Sequence, residues 1–192
     1  MSTSIRWTSA DLEGFPDDGR RYEIIDGELY VSKQPNWNHQ IVCLVIGALL
    51  FEWSKATGLG LPNTAPGLVF ADDDDVAPDI VWISRKRLSE ALDAAGHLRA
   101  PPELVVEVLS PGSANERRDL EAKLKLYSRR GVEEYWIADW RDQSLRVYRR
   151  DSEALQLVAT LGPTDLISSP LLPGFDQPMS NVFAGVTLWP KE

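Results

Sequence analysis

The chain has 192 residues, of which 43% are hydrophobic and 26% charged, with 13 glycines and 13 prolines. That length and balance fit one globular domain spanning residues 1–192 and exclude a collagen-like, fibrous or low-complexity protein. The net charge of -9 argues against a polyanion partner overall, but residues 81–150 carry 14 basic against 11 acidic side chains, so a local patch can still attract phosphate when screening acts over roughly 10 Å.

Residues 1–20 show little periodicity beyond Trp7 to Phe15 and read as a short helix or loop. Tyr22 to Val31 holds two β-leaning segments around Asp26-Gly27, a dipeptide tolerant of positive φ, which predicts a tight hairpin. Pro35-Asn36-Trp37-Asn38 closes it and supplies a cap for a helix over Trp37 to Lys55. His39, Cys43, Ile46 and Leu50 recur there at helical spacing, and Gly58 and Gly60 end the helix. The next stretch is rich in Pro, Gly and acid. A strand is expected at Gly67 to Ala71, and Asp72 to Asp75 reads as a solvated loop, since four consecutive acids do not match a calcium loop.

Ala77 to Ile83 reads as a buried strand, and Ser84 as the cap of a short helix through Leu88 and Leu92 to Gly96. Glu103 to Leu109 is the most strand-like segment and is expected at the sheet centre. Ser113-Ala114-Asn115-Glu116 has capping-box spacing for a helix from Asn115 to Arg130, with Gly131 as its left-handed stop. Strands follow at Glu134 to Asp139, Leu145 to Arg149 and Ala154 to Thr160, the first two joined by a turn at Arg141 to Gln143. Pro163, Pro170 and Pro173 are expected to break regular structure before a tail containing Phe175, Val182, Phe183 and Trp189. Strands flanked by at least two helices make a mixed α/β class.

Cys43, the one cysteine, lies in an apolar run and reads as a small core hydrophobe. No charged leader precedes an apolar stretch, and no run reaches the ~18 apolar residues of a membrane span, so a cytoplasmic protein without a membrane partner is expected. Two histidines and one cysteine are too few for a zinc site of imidazole and thiolate alone, so any metal is expected to be held by oxygen.

Two acids interrupt apolar strands: Asp79 between Pro78 and Ile80, and Glu107 between Val106 and Val108. Each either faces water or an arginine, or joins a hard-cation site for Mg²⁺ or Mn²⁺. Lys123 shares a helical stripe with Leu120, Leu124 and Tyr127, the wrong face for a solvated lysine. It either snorkels beside Asp119 at the i-4 position or aims its ammonium at the two carboxylates. Glu23 and Glu28 read as exposed hairpin acids or as further acidic site residues, and His39 as a packing histidine or a neighbour of the site. Arg85-Lys86-Arg87 and Arg117-Arg118 are candidate phosphate contacts or ordinary surface charge. Trp37 and Trp140 are candidate base-stacking residues.

Asp79, Glu107 and Lys123 resemble the catalytic set of the PD-(D/E)XK nuclease superfamily. Tyr22 to Leu29, Ala77-Pro78-Asp79, Pro101 to Pro111 and Asp119 through Lys123 to Trp136 more closely resemble its restriction-endonuclease family of the Uma-two type, over residues 20–150. The resemblance implies a restriction-endonuclease-like core, with a mixed central β-sheet flanked by helices and an N-terminal β-hairpin. It implies a metal-dependent endonuclease hydrolysing phosphodiester bonds, with DNA the favoured partner. Asp79 and Glu107 would hold Mg²⁺ or Mn²⁺ and Lys123 would serve the reaction; by analogy with other nucleases, a homodimer is expected. The pattern departs at Leu109, where the superfamily usually has its lysine. Either Lys123 takes that role or the chain is a catalytically inactive nucleic-acid- or protein-binding relative. An enzyme in which Asp79 and Glu107 share acid and base work, and a purely structural domain, are the remaining readings.

Overall fold

Asp26 and Gly27 both adopt positive φ, 55° and 73°, the pair of left-handed residues that a two-residue hairpin turn requires. They join β1 (Arg21–Ile25) to β2 (Glu28–Ser32) in antiparallel register. The computed structural model describes residues 5–112 and 116–187, and a short helix α1 (Ser9–Leu12) precedes the hairpin. The proposed capping residues Ser113 to Asn115, and Trp189 in the tail, lie outside the described residues.

Helix α2 (Trp37–Thr57) begins where the Asn36 side chain accepts the His39 amide, and ends at Gly58 with φ 71°. It is long and apolar enough to cross a membrane by length and composition, unlike the expectation from contiguous apolar runs. Val42, Cys43, Ile46 and Leu50 instead bury one stripe of it against the sheet.

The chain continues through β3 (Gly60–Thr64), β4 (Leu68–Ala71), β5 (Asp74–Val76), β6 (Ile80–Ser84), α3 (Arg85–Ala91) and β7 (Leu104–Val108). A π-helical turn (Arg118–Ala122) then runs directly into α4 (Lys123–Arg130), which Gly131 stops at φ 89°. Strands β8 (Glu134–Asp139), β9 (Ser144–Asp151), β10 (Ala154–Leu161), β11 (Leu166–Ser169) and β12 (Leu172–Pro178) precede α5 (Met179–Val182).

Six strands form the main sheet in the order β10-β9-β8-β7-β6-β3, mixed because β7 and β8 run parallel while the other neighbours are antiparallel. A four-stranded antiparallel sheet, β2-β1-β5-β4, lies apart from it, and β11 pairs with β12 as a ribbon. The alternating pleat of β7 sorts its side chains: Leu104, Val106 and Val108 join the cluster under α2, while Val105 and Leu109 join the cluster shared with α4. All five β7 residues are buried, as its central place between β6 and β8 requires.

The structure departs from the expectations at four places. Strand β3 is not expected in the stretch rich in Pro, Gly and acid; it accommodates Pro62 because it is the sheet edge, where a missing amide costs no ladder bond. Pro163 and Pro170 stand in turns as expected, but Pro173 sits within β12 of the two-stranded β11–β12 ribbon, so the chain is regular again from Leu172. The acidic run is not a solvated loop throughout: Asp74 is buried in β5, where Arg129 and Arg130 of α4 bind its carboxylate and the Asp26 amide donates to it. The short helix after Ser84 also stops earlier than expected, with Leu92 already extended.

Candidate active site

Strands β6 and β7 pair Ile80 with Val106, Val81 with Val105 and Trp82 with Leu104. Continuing that antiparallel register by one step sets Asp79 opposite Glu107, on one face of the sheet. The Val108 amide donates to Asp79 Oδ2 at 2.9 Å, closing the two strand ends on each other. Strand register therefore brings two acids far apart in sequence to the same end of one strand pair.

Helix α4 and the turn before it cover these acids. Lys123 Nζ, with no exposed side-chain surface, lies 2.9 Å from Glu107 Oε1 and 2.9 Å from Glu23 Oε1 on β1. Tyr127, one helical turn on, donates its hydroxyl to the same Glu107 oxygen at 3.0 Å. The π-helical turn has a local cause in its hydrogen bonding: the Lys123 amide reaches back five residues to the Arg118 carbonyl. That wider turn lets Arg118, Asp119 and Lys123 all be buried toward the site. Arg118 binds Asp119 through Nε at 2.8 Å, approaches Glu23 Oε2 at 3.5 Å and donates to the Ser32 hydroxyl.

Around Asp79, Arg21 Nη1 donates to Oδ1 at 3.0 Å and His39 Nε2 stands 3.2 Å from Oδ2. The other His39 ring nitrogen, Nδ1, is 3.6 Å from Cys43 Sγ, one helical turn along α2. One donor atom from each of His39, Cys43 and Asp79 lies within 4.8 Å of the others, and all three residues are buried. A cleft of about 350 Å³ opens onto this point, lined by Arg20, Arg21, Lys33, His39, Asp79 and Arg118 among others.

The electrostatics follow from packing four buried carboxylates, Glu23, Asp79, Glu107 and Asp119, around two buried cations, Lys123 and Arg118, with Arg21 half-buried at the rim. Burial opposes charge on Asp79, but the His39 contact and the cations Lys123 and Arg21 outweigh it and hold its carboxyl low. Burial pushes the Glu107 carboxyl up to about 8; Lys123 opposes the rise, while Asp79, Asp119 and Glu23 reinforce it. The Lys123 ammonium is itself held charged, since Glu107 and Glu23 overcome the cost of its burial. One lysine thus serves more carboxylates than it can neutralise. Glu23 Oε2 is also buried without a hydrogen bond among the described residues. Excess buried negative charge with oxygen donors is a setting that fits a divalent cation.

A family model named Uma2, described as "Putative restriction endonuclease", matches residues 9–180. The chain belongs to this family.

The crystal structure of a protein from Anabaena variabilis, described as "a putative nuclease belonging to DUF820", has a TM-score of 0.76 with this fold. It covers 94% of this chain and 99% of its own at 17% identity, a likeness of fold. None of the curated proteins matches. The Uma2 chain accordingly has a restriction-endonuclease-like α/β fold, with a mixed central sheet flanked by helices.

Lys123 contacts Glu107 in this Uma2 chain and points inward as its stripe predicted, while Asp79 lies at the adjoining end of the β6–β7 pair. The usual lysine position, Leu109, is buried in the apolar cluster under α4. Glu23 is not an exposed hairpin acid: it faces inward and meets Lys123, whereas Glu28 is exposed and holds Tyr30. His39 is more than a packing histidine, because its stripe neighbour Cys43 and the strand acid Asp79 occupy both ring nitrogens. Besides the oxygen donors expected from the sequence, i,i+4 spacing brings His39 and Cys43 to one helical face beside Asp79, a cluster compatible with metal coordination.

Arg85 and Arg87 follow the opposite end of β6 from Asp79, bind the Gly58 and Pro101 carbonyls and Glu133, and do not line the cleft. The cations that do line it include Arg20, Arg21 and Lys33, from a segment without motif-like spacing, and Arg118. Trp37 is exposed, whereas Trp140 packs partly against the core. Tyr127 was legible only as a core aromatic on the Lys123 stripe.

Proposed function

We propose that this Uma2 protein is a metal-dependent endonuclease acting on DNA, with Asp79 and Glu107 as the carboxylates that hold Mg²⁺ or Mn²⁺. The observation that carries the reading is the buried cluster of Glu107, Lys123 and Glu23 next to the strand end where Asp79 lines a cation-rich cleft. A bound divalent cation supplies positive charge at the scissile phosphate and acidifies water. Lys123 orients Glu107 through Oε1 and adds a fixed ammonium charge beside the carboxylates. Tyr127 holds the same oxygen from the other side, and Glu23 and Asp119 hold Lys123 in place. Arg20, Arg21 and Lys33 attract the phosphodiester backbone locally, although the chain as a whole is acidic.

A homodimer would set two such sites against two strands, and light scattering tests that arrangement directly.

The test is cleavage of single- and double-stranded DNA with Mg²⁺ or Mn²⁺, comparing wild type with Asp79→Asn and Glu107→Ala. Metal-dependent cutting that both substitutions abolish supports the reading; cutting unchanged by Glu107→Ala rejects it.

A second reading, a nuclease-like domain that binds without cutting, is favoured by Leu109 at the usual lysine position and by the closure of Glu107 Oε1 between Lys123 and Tyr127. It predicts salt-sensitive DNA binding and no cutting with either ion.

A further inference from the structure

We infer that His39 Nε2 is a ligand of the cation at Asp79, making the site select a nitrogen-accepting ion of the Mn²⁺ class over Mg²⁺. The inference rests on the proposed reading that a divalent cation binds at Asp79. Its own ground is the placement of one imidazole.

His39 is buried on α2, and its ring is bracketed: Cys43 Sγ lies 3.6 Å from Nδ1, and Asp79 Oδ2 lies 3.2 Å from Nε2. Asp79 does not need this imidazole to satisfy its oxygens. Arg21 already donates to Oδ1 and the Val108 amide to Oδ2. His39 and Asp79 both line the cleft, and Nε2 and Oδ2 lie 3.2 Å apart, so a cation held by the two residues would be reached from that cleft. Without a cation Nε2 faces Asp79 Oδ2 as a donor; to offer its lone pair to a cation instead, the ring must carry its proton on Nδ1, where Cys43 Sγ at 3.6 Å can accept it. Cys43 therefore acts behind the ring, as the partner that fixes the ring and its tautomer, and not as a ligand.

Imidazole in the donor set changes ion preference. Mg²⁺ is a hard ion that takes oxygen donors and keeps its waters, whereas Mn²⁺ and later divalent ions accept imidazole nitrogen more readily. A site of oxygens alone lacks that added bias.

The test uses the full chain loaded with Mn²⁺ and labelled with ¹⁵N-histidine, read by electron spin-echo envelope modulation. An imidazole nitrogen coupling that shifts with the label, persists in His97→Gln and disappears in His39→Gln is the expected result. In parallel, His39→Gln is expected to weaken Mn²⁺ binding by about tenfold while changing Mg²⁺ binding by less than about twofold. Mn²⁺ that binds wild type and is lost in Asp79→Asn, but shows no histidine coupling, overturns the inference and leaves the cation reading intact. Equal weakening of both ions in His39→Gln also overturns it, because His39 then only positions Asp79. If wild type binds neither ion, the proposed function falls together with this inference. The wild-type and His97→Gln spectra together decide the matter even if His39→Gln fails to fold.

Discussion

Lys123 and Glu23 meet at 2.9 Å in the protein interior, tying α4 to the N-terminal hairpin directly beside Glu107. The ammonium is the shared partner of both acids, so Lys123→Met leaves two buried carboxylates without it. We expect a loss of about 3–5 kcal/mol in urea denaturation at pH 7. A loss below about 1 kcal/mol would show that the cluster is not held by this lysine.

Tyr127→Phe removes one of two hydrogen bonds to Glu107 Oε1 and leaves the ring packing in place. The expected cost is about 1–2 kcal/mol in urea denaturation, since the acceptor keeps Lys123. Metal-dependent cleavage should fall as well, because Glu107 is less firmly oriented. Full activity at reduced stability would confine Tyr127 to a packing role.

Asp74 is buried between Arg129, Arg130 and the Asp26 amide, which outweigh its burial and hold its carboxyl below the ordinary range. As pH falls through about 4, the unfolded chain takes up this proton before the folded one does. The stabilisation is therefore complete above that pH and is lost as pH drops toward the folded value. Asp74→Asn should cost about 2 kcal/mol at pH 7, and urea midpoints should show the gap to wild type narrowing from pH 5 to pH 2.5. A gap independent of pH contradicts the assignment.

Arg20 and Lys33 line the cleft, and neither is among the groups bound to Asp79. Arg20→Ala combined with Lys33→Ala should weaken DNA binding similarly for all sequences and lower the slope of log affinity against log salt by about 2. Fluorescence anisotropy from 50 to 200 mM salt measures it. An unchanged slope would place the phosphate path elsewhere.

Much of the element order was legible. The Asp26-Gly27 turn, the helix after Asn36, the apolar strands around Asp79 and Glu107 and the stop at Gly131 each follow from local chemistry, and each stands in the structure. Strand β3 gave no signal within a stretch rich in Pro, Gly and acid, and the β11–β12 ribbon was not legible because Pro173 reads as a breaker unless its strand is known to be unpaired on one side. Within the site, Asp79, Glu107 and Lys123 stood out because a charge interrupted an apolar pattern. Glu23 gave no comparable signal, since alternation within a hairpin does not say which face is covered.

The sequence by itself determined the main helices and the central strands, and it marked Asp79, Glu107 and Lys123 as charges set in apolar patterns. Those are properties of a few neighbouring residues, set by backbone sterics, capping and hydrophobic period. Only the tertiary structure decided the partners: register set Asp79 opposite Glu107, the π-helical turn carried Arg118 and Asp119 to the same side as Lys123, and packing of α2 brought His39 to Asp79. Such pairings depend on contacts between segments distant in sequence, and no local pattern encodes which distant acid a buried cation will meet.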